Sequence, residues 1–151
     1  MTEWSSPALV LPWLRGQGLH VAASATLDAV RDALFASGYL IAHAHTGPGR
    51  SRQDAYRSLA AALRLRQSAA DNLDAFADAL RELPDLWPET RRLVLLWTGA
   101  DSLVRTDLLA WTMLGKVLVE TSDYLWLPDD ERGLVFDTIA FVPTDYGADH
   151  P

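Results

Sequence analysis

Gln67–Leu83, QSAADNLDAFADALREL, combines a strong helix signal with an unusual placement of charge. Asn72, or Asp71 just before it, can cap a helix by accepting a bond from an otherwise unpaired amide, and the apolar series begins at once with Leu73. Leu73, Phe76, Leu80 and Leu83 follow steps of three and four residues, so they share one stripe that faces a core. Asp71, Asp74, Asp78 and Glu82 follow the same steps on the other flank, which makes the exposed side a row of carboxylates. Like charges one turn apart cost a helix roughly 0.2 to 0.5 kcal/mol per pair, and a carboxylate in the first turn, Asp74 here, recovers part of that from the helix dipole. These residues alone leave two readings open: a solvated face that happens to be acidic, and a binding face for a basic partner.

The flanking chain alternates strand and helix signals. Upstream, Ser51 opens a helix with Ala55, Tyr56, Leu59, Ala62 and Leu63 inward and Arg52, Arg57 and Arg64 outward, followed by a loop over 66–71. Tyr39–Ala44 reads as a strand closed by the turn residues Thr46 to Gly49. Before it, Leu19–Ala23 reads as a short strand, and Thr26 as the cap of a helix with Leu27, Val30 and Leu34 inward. Downstream, Pro84 and Pro88 mark a connection, and Leu93–Trp97 is a continuous apolar run of strand length, the pattern of a central strand. Thr98 to Asp101 reads as a turn. Thr106 or Asp107 caps a helix to about Thr121 that is apolar on most sides, so it is either well buried or meets another chain. Thr138–Val142 gives the last strand. Strands alternating with helices predict an α/β fold, a small mainly parallel sheet with helices packed on it.

With 151 residues, 49% hydrophobic and 22% charged, the chain suits one domain with a sizeable core. The expected division is an arm over 1–18, one α/β domain over 19–142 and a polar tail over 143–151. A net charge of −7 disfavours nucleic acid as a direct partner and favours a basic protein. There is no cysteine, which excludes disulfides, thiol nucleophiles and thiolate metal sites. The first residues carry Glu3 rather than a basic run, and Pro7, Pro12 and Arg15 interrupt their apolar patch, so neither a signal peptide nor a membrane anchor is indicated. A cytoplasmic protein is expected.

The run from Asn72 to Leu80, NLDAFADAL, resembles the signature of the barstar family, intracellular inhibitors of barnase-type ribonucleases. The family pattern is Tyr-x-Gly-x-Asn-x-Asp-Ala-Leu, then an acidic residue and Leu. Asp74 and Asp78 match its two helix aspartates, Asn72 its Asn, and Ala75, Ala79 and Leu80 its packing positions. Ser68 stands in the place of the loop Tyr, Ala70 in that of the Gly, and Ala77 in that of an aromatic. In order of elements the resemblance runs from about Tyr39 to about Val142, so Leu19 to Gly38 is an extra βα unit in front. The resemblance implies that the loop and first turns of this helix plug a ribonuclease active site, with carboxylates where substrate phosphates would sit. Ser68, Asp71, Asn72, Asp74, Asp78 and Glu82 are then the partner-binding residues: Asp74 and Asp78 as anchors, Asn72 ordering the loop, Asp71 and Glu82 steering approach.

The alternative keeps the scaffold and changes the target. It is an interaction module that no longer inhibits a ribonuclease, self-associating through the apolar N-terminal segment and the surroundings of Trp111. Enzymatic readings find less support. His43 and His45 lie two apart on one strand, which is only two metal ligands, so no metal or cofactor is expected. The Thr46 to Arg50 segment lacks the Gly-Lys-Ser/Thr ending of a phosphate loop, and no Gly-x-Ser-x-Gly elbow occurs. Asp74 and Asp78, one turn apart on a surface helix, lack the desolvation that would separate an acid from a base. Trp87, Trp97, Trp111 and Trp126 read as packing rather than as a pocket.

Overall fold

The computed structural model describes residues 18–47, 51–126 and 133–143. Four strands form one sheet: β1 (Leu19–Ala23), β2 (Leu40–His45), β3 (Arg92–Thr98) and β4 (Val135–Val142), in the order β1-β4-β3-β2. Every neighbouring pair is parallel, with Leu19 opposite Thr138, Leu95 opposite Thr138 and Ala42 opposite Leu95. The apolar run of β3 is therefore central as expected, and all of Leu93–Trp97 is buried because helices cover both faces of the sheet.

One face is thick. Ala42, Ala44, Leu93, Leu95, Trp97, Phe136 and Ala140 project from it into a core shared with five helices. These are α2 (Arg52–Ala62), α3 (Leu73–Leu80), the single turn α4 (Leu83–Leu86), α5 (Ala100–Thr106) and α6 (Leu108–Leu125). The other face is covered by α1 (Leu27–Ala36), whose Val30 and Leu34 pack on Val94, Leu96, Ile139 and Phe141. Ile41 of the edge strand β2 packs against that layer, while His43 and His45, further along the strand, are exposed. His45 Nδ1 lies 2.8 Å from Thr98 Oγ1. Burial at Trp97 and Trp87 accords with tryptophan as packing, while Trp111 is half-buried against Trp97, with ring centroids 5.6 Å apart.

Several local expectations change. Thr26 stands at the N-cap of α1 as expected, but its side chain makes no capping bond; its hydroxyl instead donates to the Ala23 carbonyl at 2.6 Å and closes a 3-10 turn over Ser24–Thr26. The segment 98–101 is no simple turn, because α5 begins at Ala100 immediately after Gly99. Asp107, not Thr106, caps α6 by accepting the Ala110 amide at 3.1 Å, and the helix continues past Thr121 to Leu125. Thr106 instead donates back to the Ser102 carbonyl. Strand β4 starts three residues earlier than Thr138, and Gln67–Ala70 in the expected loop is a 3-10 turn. Pro84 sits at the start of α4, where its missing amide costs nothing. The apolar arm and the polar tail lie outside the described residues, except for Gly18 and Pro143, as do Pro48 and Gly49 of the turn after β2.

Candidate functional site

The acidic helix is held from both ends. Asn72 is extended, and its side-chain oxygen accepts the Ala75 amide at 2.8 Å, so Asn72 rather than Asp71 is the cap. Phe76, Ala79 and Leu80 are buried; the Phe76 ring stacks on Tyr56 of α2 with centroids 5.9 Å apart. At the far end the Arg81 guanidinium lies over the Tyr124 ring of α6. With that stripe fixed inward, helical geometry directs Asp74 and Asp78 outward, and both are exposed. Leu83 continues the buried stripe from α4, since α3 itself ends at Leu80.

The carboxylates are not equivalent. Asp71 and Asp74 have no ion-pair partner among the described residues. Glu82 is paired with Arg66, whose second nitrogen stands 4.0 Å from an Asp78 oxygen. Asp78 nevertheless keeps 72% of its side chain exposed and Glu82 keeps 51%. The charge of the row is thus concentrated toward its N-terminal end, and Arg66 is a residue that sequence reasoning missed. An arginine in a loop has no periodic relation to a carboxylate sixteen residues on, so no pattern announced it. Ser68 is exposed on the 3-10 turn, next to the buried Ala69 and Ala70. Ser68, Asp71, Asn72, Asp74, Asp78 and Glu82 are each exposed, Asp71 and Asn72 side by side at the cap and Asp78 and Glu82 around Arg66.

Residues 39–139 match the family model described as Barstar (barnase inhibitor). The chain belongs to the barstar family. Neither the curated proteins nor the solved structures include a match to it. Within the barstar match lie β2, β3, most of β4 and every helix but α1; β1 and α1 stand before it, and β1 extends the sheet beside β4. The barstar motif thus falls on a capped, packed, outward-facing helix.

Two further features border the site. Arg52 of α2 makes a two-pronged pair with Asp107, at 2.9 and 3.1 Å. The Ala110 amide, and after it Arg52, holds the Asp107 carboxyl below its ordinary range, while burial pushes the Tyr56 phenol up. Among the described residues there is no cluster of three groups able to hold a metal ion, and no helix is long and apolar enough to cross a membrane.

Proposed function

We propose that this chain is a barstar-type inhibitor of a basic ribonuclease, acting in the cytoplasm, with residues 19–142 working as one domain. Asp74 and Asp78 occupy the enzyme's phosphate subsites, and Asn72 fixes the first turn that carries Asp74. Ser68 contacts the enzyme beside them, while Asp71 and Glu82 steer its approach. The observation that carries this reading is the coincidence of the family motif with exposed carboxylates on a helix anchored at Asn72, Phe76 and Arg81. A rigid helix loses little freedom on binding, so more of the interaction energy appears as affinity. Exposed charges are screened over about 8 Å at physiological ionic strength, so affinity falls as salt rises.

The test is inhibition and calorimetric titration of barnase and a panel of other basic ribonucleases with the wild type and with the double variant Asp74→Ala, Asp78→Ala. Saturable inhibition lost in the variant supports the reading. Inhibition that survives it places the contact elsewhere. The absence of inhibition across the panel would turn the choice toward an interaction module on the same scaffold. That second reading draws on Ser68 and Ala77, small where the family pattern has aromatics that commonly anchor interfaces, and on the exposed Leu108, Leu109 and Met113 of α6. Sedimentation velocity across a concentration series separates a monomeric inhibitor from a self-associating module.

A further inference from the structure

The first turns of α2, α3 and α6 meet around an open groove of about 440 Å³. Tyr56, Leu73, Leu109, Ala110 and Met113 line it, and Asp71 stands on its rim. Leu109 and Met113, one turn apart on α6, are 63% and 42% exposed, so one wall of the groove presents apolar surface to water. The remaining rim charge, Arg52, is already committed to Asp107. What the groove offers an occupant is an apolar floor and, at one side, the carboxylate of Asp71, unpaired among the described residues, with Asp74 on the first turn of the helix that follows.

We propose that this groove is a second subsite of the inhibitory surface, which takes an apolar side chain of the ribonuclease lying next to a lysine or arginine that pairs with Asp71. The proposal rests on the ribonuclease reading and deepens it. Interfaces draw most of their energy from a few large apolar anchors seated in pockets. The expected anchors on this chain, at the Ser68 and Ala77 positions, are too small to serve. A groove reverses the roles: the partner supplies the anchor, and this chain supplies the pocket. Its contact with Asp71 makes it continuous with the acidic row, so one basic surface can engage both.

Charge selects the partner over a second copy of this chain. Two copies would each bring a net charge of −7, and their carboxylates would face each other around the groove. A basic partner is drawn to the same rim.

A random-peptide library displayed on phage and selected on the immobilised full-length chain tests the subsite without the ribonuclease in hand. The expected winners pair an apolar residue with an adjacent Arg or Lys. Their affinity should fall by roughly two- to fivefold in Asp71→Asn, which removes one exposed charge pair. It should fall by roughly tenfold or more in Met113→Glu, which replaces apolar wall by charge. Thermal melting of both variants confirms that these exposed positions leave the fold intact. Failure to enrich any sequence, enrichment of acidic or purely apolar peptides, or undiminished binding to Met113→Glu would each overturn the proposal. So would a dimer of the wild type that Met113→Glu abolishes, since the occupant would then be a second copy. Peptides that fill the groove while no ribonuclease is inhibited would leave the subsite standing and remove the ribonuclease reading. A ribonuclease inhibited equally by wild type and Met113→Glu would do the reverse.

Discussion

Arg66 is ion-paired with Glu82 across the foot of the acidic helix, and the same guanidinium reaches to 4.0 Å from Asp78. One cation therefore shields two of the four carboxylates, and a basic partner must compete with it. Arg66→Ala is expected to speed association with a basic ribonuclease by roughly two- to fivefold at low salt, the weight of one exposed unit charge. The gain should vanish at high salt. Stopped-flow association rates at two ionic strengths check this; a slower rate in Arg66→Ala would mean that the arginine holds the site in shape rather than masking it.

Gly99 joins β3 to α5 with φ near +79, and a Cβ there would lie 2.0 Å from the carbonyl oxygen of Thr46. The neighbourhood has no slack, because the Thr46 hydroxyl accepts from the buried Trp97 indole at 3.0 Å and the Thr46 amide bonds the Thr98 carbonyl. Gly99→Ala must therefore both strain the backbone and displace the end of β2. A loss of about 3 kcal/mol or more is expected in urea unfolding. A loss below about 1 kcal/mol would show that the two strand ends part easily.

The central strand and the acidic helix were legible for physical reasons that act locally. Five consecutive apolar residues from Leu93 can be buried only between two helix layers, and Asn72 followed by Leu73 and Phe76 signals a cap and a buried stripe. Helix α5 was hidden because Gly99 reads as a turn. The glycine does supply a turn residue's left-handed conformation, but it is followed at once by a helix. The start of β4 was hidden by Asp137, a carboxylate inside what proves a wholly buried strand. The groove could not be read at all: Tyr56, Leu73 and Met113 come from three helices, and only the packing of the sheet brings them together.

Asp137 is tolerated there because His20 of β1 meets it, with Nε2 3.3 Å from the carboxylate and both side chains almost fully buried. The other histidine nitrogen, Nδ1, has no partner among the described residues, where this contact is the ring's one hydrogen bond. Asp137→Ala would leave a buried imidazole wholly unsatisfied and is expected to destabilise by about 1–3 kcal/mol. Asp137→Asn keeps an acceptor at the same place and should lose less. Urea unfolding of the two variants decides it: equal losses would mean that the side chain's volume matters and its bond to His20 does not.

Asp107 links the stability of the fold to acid. Its carboxyl is held below its ordinary value chiefly by the Ala110 amide that it caps, and then by Arg52. A carboxyl depressed in the folded chain contributes stability that is fully present above the unfolded value. That contribution is lost as pH falls through the folded one. The window therefore opens near pH ~4, the ordinary value for an aspartate, and extends downward. Asp107→Asn keeps an oxygen to cap Ala110 but carries no charge for Arg52, so it has no such dependence. Wild type should be the more stable at neutral pH, and its advantage should shrink steadily in urea melts taken at successively lower pH below that point. A difference that stayed constant across the series would mean that the carboxylate's charge adds nothing to the cap.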